Sequence, residues 1–189
     1  MDDSRKRLAA LLMRLSYIEG EVTLTSGRKS DYYFDCKQTA LHPEGGYLIG
    51  ELFLEMLRGS DVSGVGGMTL GADPLVSAVS IVSFLKDCPL PAFIIRKKSK
   101  GHGTDQYLEG MKNFTPGARV ALLEDVVTTG GTLVTAAERV RDAGFTITAV
   151  LAVLDREEGG KERLAEAGLP LQSIFTRSSL LEAAGRARG

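Results

Sequence analysis

The sequence predicts an α/β domain with a doubly wound, mostly parallel sheet and a small helix and β-hairpin hood at its amino terminus. Segments of strand length alternate with segments of helix length through the second half of the chain, an order typical of parallel sheets covered by helices on both faces. Residues 120–123 are apolar without interruption, as expected of a strand buried on both sides. We therefore predict a single domain over residues 1–189, with residues 1–40 forming the hood.

The hood is predicted to contain one helix and one hairpin. Residues 4–15 place their leucines on one helical face, and Ser4 is a suitable N-cap. Two alternating runs, 21–25 and 31–36, flank a Ser-Gly-Arg-Lys-Ser turn, which predicts a β-hairpin. The second run contains three consecutive aromatic residues, Tyr32, Tyr33 and Phe34. Either these rings pack in the core and across the strands, or one ring or its backbone lies on a planar base.

Helices and strands follow one another after the hood. A helix is predicted over residues 43–58, because Pro43 lies near its start and Gly59 can end it. A short strand is predicted over residues 62–66. The remaining predicted elements are helix 73–86, strand 92–95, strand 119–125, helix 131–143, strand 146–154, helix 158–167, strand 171–176 and helix 178–185.

Glycines surround the Met-Thr-Leu sequence that follows the strand predicted at 62–66. Gly66 and Gly67 precede this sequence and Gly71 follows it. Because glycine permits a close approach of the backbone, the turn either presents N–H groups to a pyrophosphate or is simply tight.

Composition and charge argue against several classes of partner. Hydrophobic residues make up 43% of the chain and the formal net charge is −1, which indicates neither a nucleic-acid surface nor a membrane surface. Cys36 and Cys88 form no CxxC motif, which favours reduced thiols. The amino terminus lacks a signal-peptide core, and no apolar run approaches the roughly 18 residues of a membrane span. We expect a soluble, cytoplasmic protein that binds neither nucleic acid nor membrane.

The stretch VALLEDVVTTGGTL at 120–133 combines a strand, two acids, a glycine turn and the start of a helix. Side chains at the carboxyl end of a parallel strand open into the crevice where α/β sheets bind ligands. Glycines and the unpaired N–H groups of a helix start accommodate an anion, and the carboxylates of Glu124 and Asp125 accept hydrogen bonds from sugar hydroxyls. The sequence contains no GK[ST] P-loop and no GxGxxG after a strand. The stretch therefore predicts a pocket for a phosphorylated sugar.

A basic segment, RKKSKGHG at 96–103, precedes this stretch. It is either a solvated loop, a short nucleic-acid patch, or a lid over the active site. Departure of a pyrophosphate from C1 of ribose leaves negative charge on the leaving oxygens, which cations on a lid stabilise while excluding water. Lys97 and Lys100 suit this role, and His102 serves there either as an acid or as a hydrogen-bond donor. We predict a mobile catalytic loop over residues 97–108.

Four stretches together resemble a known family. They are TLTSGRKSDYYF at 23–34, RKKSKGHG at 96–103, LLEDVVTTGGT at 122–132 and LDRE at 154–157. The third resembles the phosphoribosyl pyrophosphate (PRPP) motif of type I phosphoribosyltransferases, and the second and fourth resemble the orotate phosphoribosyltransferases. The resemblance implies a glycosyltransferase of pyrimidine biosynthesis, which uses Mg²⁺ to transfer phosphoribosyl from PRPP to N1 of orotate. It also implies a homodimer in which the basic loop reaches the neighbouring active site.

The same resemblance assigns individual residues. The catalytic residues implied are Lys97, Lys100, His102 and Asp125. PRPP contacts are implied for Arg96, Lys97, Lys100, His102, Glu124, Asp125, Val126, Val127, Thr128, Thr129, Gly130, Gly131 and Thr132. Orotate contacts are implied for Thr128, Arg156, Tyr33 and Phe34. A guanidinium fork suits the carboxylate that distinguishes orotate from uracil; the alternative for Arg156 is an ion pair with Glu157 or Glu158.

No dedicated metal cage is predicted. Mg²⁺ keeps several waters and prefers substrate oxygens together with one or two carboxylates, so Glu124 and Asp125 are expected to act on it through water. No His/Cys cluster indicates zinc.

The chain departs from the better-known family pattern at two places. Thr25 stands where a lysine often precedes the hairpin turn, and Thr69 and Leu70 stand where a Tyr-Lys pair often lies. Both changes remove positive charge near the phosphates, so the consequence for substrate affinity is left open.

Two other functions fit parts of the pattern. One is a phosphoribosyltransferase for a purine, which would not need Arg156. The other is a non-catalytic regulator that senses PRPP or binds RNA, which would not need the Lys97, Lys100 and His102 lid.

Overall fold

The computed structural model describes residues 3–23, 29–99 and 107–185. Its α-helices are α1 (Asp3–Leu15), α2 (Cys36–Ala40), α3 (Pro43–Met56), α4 (Asp73–Leu85), α5 (Gly131–Asp142), α6 (Gly160–Glu166) and α7 (Arg177–Ala183), with a 3-10 helix at Met111–Asn113. Its strands are β1 (Tyr17–Thr23), β2 (Lys29–Phe34), β3 (Gly64–Met68), β4 (Ala92–Ile95), β5 (Leu108–Glu109), β6 (Arg119–Val127), β7 (Thr146–Asp155) and β8 (Leu171–Thr176).

Six strands form one sheet in the order β5-β4-β3-β6-β7-β8. All neighbouring pairs are parallel except β4 and β5, which are antiparallel. The predicted mostly parallel sheet is therefore confirmed. Because β3, β6 and β7 run in the same direction, their carboxyl ends meet at one edge, where ligands bind in such sheets.

Helices cover both faces of the sheet, as doubly wound folds require. Ala121 and Leu123 on β6 join a core with residues of α1, α3, α4 and α7. Val120 and Leu122 point the other way and join a core with α5 and α6. The uninterrupted apolar run on β6 thus reflects burial on both sides.

The hood is a two-stranded antiparallel sheet preceded by α1. Its strands pair from Tyr17↔Phe34 to Thr23↔Lys29, so the strands predicted at 21–25 and 31–36 were placed too late in the sequence. The chain leaves the hairpin at Asp35, whose side chain accepts a hydrogen bond from the Lys37 N–H and caps α2. This five-residue helix was not predicted, because it is too short to show a helical period.

The glycine turn after β3 differs from the prediction. Gly66 and Gly67 lie inside β3, paired with β4 on one side and β6 on the other, so they do not form a turn and are not free to present N–H groups to a pyrophosphate. A Cβ at Gly66 would lie 2.1 Å from the Phe93 ring, and one at Gly67 would lie 2.3 Å from the Ala72 Cβ. Glycine is required here for close packing within a strand.

The turn itself begins at Thr69, and the Thr69–Leu70 peptide is cis. The Thr69 hydroxyl donates a 2.8 Å hydrogen bond to the Asp73 carboxylate at the start of α4, and Leu70 is 65% exposed. The replacements noted at positions 69 and 70 therefore place a hydroxyl that is hydrogen-bonded to Asp73 and an exposed apolar side chain at this edge of the sheet.

Within residues 3–23, 29–99 and 107–185, no helix is long and apolar enough to cross a bilayer.

Candidate functional site

Two adjacent carboxylates lie at the carboxyl end of β6. We call Glu124 and Asp125 the acid pair. The Glu124 side chain is buried at 7% exposure, and the Asp125 N–H donates a 3.2 Å hydrogen bond to its Oε1. The Asp125 side chain lies against the turn after β3, where a Cβ at Gly71 would come within 2.7 Å of the carboxylate carbon. A glycine at position 71 thus leaves room for Asp125 at the sheet edge.

The two acids differ in their surroundings. Burial raises the pKa of Glu124 well above its usual range, and the neighbouring Asp125 charge adds to the increase. The charge of Lys97 acts on the pKa of Glu124 in the opposite direction. The first part of the basic segment therefore acts electrostatically on the acid pair.

Among the described residues, Lys37 on α2 is the cation that pairs with Asp125. Its Nζ lies 2.7 Å from the Asp35 Oδ1 and 3.8 Å from the Asp125 Oδ2. Partial burial lowers the pKa of Lys37, but the hydrogen bond to Asp35 and the charge of Asp125 outweigh it and leave the pKa raised. Sequence reasoning did not find this residue, because the unpredicted helix α2 brings it to β6.

The turn after β6, residues 128–132, is called the anion turn. Gly130 has a φ of 74°, a conformation that favours glycine, and is the N-cap of α5. A pocket of about 240 Å³ lies along the turn and is lined by Glu124 and residues 126–133. Glu124, the end of β6, the turn and the start of α5 therefore line one pocket, in which the N–H groups at the start of α5 are available to an anion. Asp125 is not among the residues that line it.

A second cluster lies beside the end of β7. The Arg156 N–H donates a 2.9 Å hydrogen bond to the Val127 carbonyl, which places Arg156 next to the end of β6. Its guanidinium is 4.6 Å from the centre of the Tyr32 ring, and its Nη2 is 2.9 Å from the Glu158 Oε1. Arg177, at the start of α7, lies 4.3 Å from the same ring. The ion pair considered as the alternative for Arg156 is thus present, and it is buried.

The aromatic residues of β2 have different environments. Tyr32 is 2% exposed and Phe34 is 6% exposed, both within the core that includes α1, whereas Tyr33 is 38% exposed. Tyr32, which was not assigned to the site, contacts Arg156. The period-two pattern of a strand explains the difference, since Tyr32 and Phe34 point to one face and Tyr33 to the other.

The basic segment begins at the end of β4. The Arg96 guanidinium pairs with Glu109 at 3.0 Å, and the Arg139 Nη1 donates a 2.6 Å hydrogen bond to the Arg96 carbonyl. Lys97 is exposed. Leu108, at the far end of the predicted loop, belongs to β5. Lys100 and His102 lie outside the described residues.

No cluster of three or more histidine, cysteine or acidic side chains suited to a metal occurs in the described parts of the chain. The acid pair supplies two carboxylates beside the anion pocket, a donor set that fits a Mg²⁺ ion sharing water and substrate oxygens.

Comparison with known proteins identifies the family. The family model described as "Phosphoribosyl transferase domain" matches residues 55–168. An orotate phosphoribosyltransferase of Nostoc sp. (strain PCC 7120) is 48% identical over 172 residues, which cover 91% of this chain and 82% of the relative. An orotate phosphoribosyltransferase of Rhodopseudomonas palustris (strain BisB18) is 48% identical over 181 residues, covering 95% and 97%. The chain belongs to the orotate phosphoribosyltransferase family.

A solved structure agrees with this membership. The orotate phosphoribosyltransferase of Mycobacterium tuberculosis H37Rv in complex with PRPP has a TM-score of 0.78 and 37% identity, covering 94% of this chain and 98% of that one. The family resemblance drawn from the four sequence stretches is therefore confirmed.

Replacement of Glu124 by glutamine tests the electrostatics of the acid pair. Folded Glu124 holds its proton more tightly than unfolded Glu124, so its ionisation destabilises the fold as pH rises above the ordinary glutamate value of about 4.3. We expect Glu124→Gln to raise the melting temperature, with a gain over wild type that is small near pH 4.5 and grows toward pH 8. Each kcal/mol of relief corresponds to roughly 2–4 °C.

The matched control is Glu138→Gln, an exposed acid on α5, which should change the melting temperature little at any pH. A Glu124→Gln variant that melts at or below the wild-type temperature across this range would contradict the destabilising role given to the buried charge.

Proposed function

We propose that this protein transfers the phosphoribosyl group of PRPP to N1 of orotate, giving orotidine 5′-phosphate and pyrophosphate. The observation that carries the proposal is a pocket lined by Glu124 and the anion turn, with Asp125 next to Glu124 on β6, in a chain of this family. Sugar hydroxyls need acceptors and a phosphate needs donors, and the end of β6 supplies both within ten residues.

In the proposed complex the 5-phosphate of PRPP lies on the anion turn. The N–H groups at the start of α5 and the hydroxyls of Thr128, Thr129 and Thr132 donate to its oxygens. The ribose hydroxyls donate to the carboxylates of Glu124 and Asp125. This arrangement holds the sugar at both ends, with C1 facing the base. Little translational or rotational entropy then remains to be lost in the transition state.

The bond changes are those of a substitution at C1. The C1–oxygen bond to pyrophosphate breaks with its electron pair going to the leaving oxygen. N1 of orotate forms the new bond to C1, and the proton of N1 passes to the departing pyrophosphate. Positive charge develops on the ribose, and the carboxylates of the acid pair stabilise this charge. Negative charge develops on the pyrophosphate, which cations of the basic segment stabilise.

The basic segment is proposed to close over the pyrophosphate. Arg96 and Lys97 begin it from the end of β4, and Lys100 and His102 continue it beyond the described residues. The influence of the Lys97 charge on Glu124 supports this placement. Arg139 holds the Arg96 and Lys97 carbonyls and so provides a fixed base for a closing loop.

Mg²⁺ is proposed as the cofactor. The acid pair would hold it through water, and the ion when bound would neutralise charge on the pyrophosphate oxygens. The protein residues hold the sugar and exclude water whether or not the ion contacts them directly.

The base is proposed to lie between the end of β7 and β2. The Arg156 fork donates to the orotate carboxylate, and its contacts with Tyr32 and Glu158 hold the guanidinium in place. Thr128 and the exposed Tyr33 are the proposed neighbours of the base. Phe34 is proposed to contribute through its backbone, because its ring is buried in the core.

A homodimer and a cytoplasmic location complete the proposal. Helix α4 exposes Ile81, Phe84 and Leu85 at 62%, 71% and 69%, and their spacing places them on one side of the helix. An apolar surface of this kind is typical of an association site. The two cysteines form no disulfide, which fits a reducing compartment.

The substrate is tested by steady-state assays of purified wild type with PRPP, Mg²⁺ and each of orotate, uracil, adenine and hypoxanthine. We expect kcat/KM to be highest for orotate. A higher kcat/KM for a purine would replace the proposal by a purine phosphoribosyltransferase.

Arg156→Lys tests the carboxylate contact. Lysine keeps the positive charge beside Glu158 but loses the fork, so we expect the KM for orotate to rise roughly tenfold or more while the KM for PRPP changes little. The discrimination between orotate and uracil should fall in parallel. Arg141→Gln, an exposed change on α5, serves as control. An unchanged KM for orotate would assign Arg156 to the ion pair with Glu158 alone.

Lys100→Ala tests the lid. Loss of one charge-stabilising contact to the leaving group typically slows turnover roughly a hundred- to a thousandfold, and we expect this loss in kcat with little change in melting temperature. Lys112→Ala, an exposed lysine on the 3-10 helix, should leave kcat unchanged. Normal turnover by Lys100→Ala would favour a PRPP-sensing regulator.

Phe84→Glu tests the dimer. A charge in the apolar face of α4 should convert a dimer to a monomer in size-exclusion chromatography with light scattering. It should also lower kcat, because Lys100 and His102 of the basic loop are proposed to reach the neighbouring active site. Lys161→Glu, on α6 at the opposite face of the sheet, should leave both unchanged. A wild-type protein that is monomeric at high concentration would refute the dimer.

A further inference from the structure

Helix α6 begins directly against the anion turn. A Cβ at Gly160 would lie 2.6 Å from both the Thr128 carbonyl oxygen and the Val127 Cγ1, so a larger residue at this position would push the helix away. The Leu164 side chain packs beside Gly130, where an added Cβ would lie 3.0 Å from its Cγ. The first turn and a half of α6 therefore supports the anion turn from outside the pocket.

Arg163 extends from this helix to the same turn. Its Nη1 lies 3.5 Å from the Thr129 carbonyl oxygen, and a Cβ at Gly131 would lie 3.4 Å from that nitrogen. The side chain is exposed. Over the described ranges 3–23, 29–99 and 107–185, no carboxylate lies within ion-pairing distance of Arg163.

The pocket along the turn lacks a cation of its own. Glu124 is the ionisable residue among those that line it, and the remaining lining residues, 126–133, are neutral. A sugar 5-phosphate carries close to two negative charges at neutral pH. Neutral N–H groups and hydroxyls can bind these oxygens, but charge-assisted hydrogen bonds are about twice as strong as neutral ones. A cation that reaches the turn from outside the pocket would add this strength.

We propose that Arg163 binds the terminal phosphate of the sugar phosphate, as a cation supplied to the anion turn by α6. This inference rests on the proposed function for the identity of the ligand. Arg163 has a long side chain, its guanidinium makes no ion pair within the described ranges, and its contact with the Thr129 carbonyl is long at 3.5 Å, so it is able to donate to a phosphate oxygen at the turn instead. The PRPP-motif sequence itself contains no positive residue, and α6 supplies one 31 residues after Thr132 in the chain.

The inference distinguishes the two ends of PRPP. Arg163 lies at the turn that takes the 5-phosphate, whereas the pyrophosphate is proposed to face the basic segment. Loss of the Arg163 charge should therefore weaken binding of ribose 5-phosphate and PRPP and leave binding of inorganic pyrophosphate unchanged. Because the side chain is exposed, its contribution should also decrease with salt.

The experiment is isothermal titration calorimetry on the full-length protein with ribose 5-phosphate and, separately, with inorganic pyrophosphate and Mg²⁺, each at about 50 mM and about 500 mM salt. The variants are Arg163→Gln, which keeps a hydrogen-bond donor but loses the charge, and Arg163→Lys, which keeps the charge. Lys161→Gln is the matched control, because it removes one positive charge from the same helix, and Lys161 makes no hydrogen bond to the turn in the part of the chain that the structure describes.

At low salt we expect Arg163→Gln to bind ribose 5-phosphate roughly three- to tenfold more weakly than wild type. Arg163→Lys should recover most of this affinity, Lys161→Gln should bind as wild type does, and high salt should reduce the difference between wild type and Arg163→Gln. Pyrophosphate affinity should be the same in all four proteins.

Two results would overturn the inference while leaving the proposed function intact. One is wild-type affinity for ribose 5-phosphate in Arg163→Gln. The other is an equal loss of affinity for both ligands together with a lower melting temperature, which would give Arg163 a structural role in supporting the turn. A wild-type protein that binds neither ribose 5-phosphate nor PRPP would instead overturn both proposals.

Discussion

Two neighbouring carboxylates at the end of a buried strand set the main electrostatic constraint on this structure. Glu124 is buried and its pKa is raised, because it loses hydration and faces the charge of Asp125. The surroundings of Asp125 offset part of this cost. The Val126 N–H donates a 2.8 Å hydrogen bond to Asp125, Lys37 approaches it from α2, and the absence of a side chain at Gly71 leaves it space. A destabilising arrangement of this kind is common where a site is built for binding.

The acid pair also explains why different elements of the proposed site contact the sugar and the phosphates. Carboxylates accept from sugar hydroxyls but repel phosphates, so phosphate contacts must be made by other elements. The anion turn provides neutral donors at the start of α5, and the basic segment provides cations at the end of β4. Helices α2 and α6 add Lys37 and Arg163 from positions distant in sequence. The proposed site thus places its positive groups around a negative centre.

Sequence reasoning found the elements whose signals are local. The β6 strand, the acid pair, the anion turn and α5 are consecutive, so one stretch of chain predicted them and their arrangement together. It did not find features that depend on tertiary contact. Lys37 lies on a helix of five residues, and Arg163 lies on a helix whose position relative to the turn depends on the packing of Gly160. Gly66 was placed at the end of a strand and Gly67 in the turn after it, because glycine occurs in both strands and turns. The contacts with Phe93 and Ala72 that require glycine at these positions are tertiary and have no local sequence pattern. Strand β5 contains only two residues, too few for any periodic pattern.

Binding of PRPP through its ribose 5-phosphate end is the interaction on which the proposed site depends. The decisive measurement is calorimetric titration of PRPP with Mg²⁺ into the wild-type protein and into Asp125→Asn, an isosteric change that removes one carboxylate. The account predicts one PRPP bound per chain by wild type, and binding that is clearly weaker in Asp125→Asn. No heat of binding in wild type, or equal affinity in the two proteins, would contradict it.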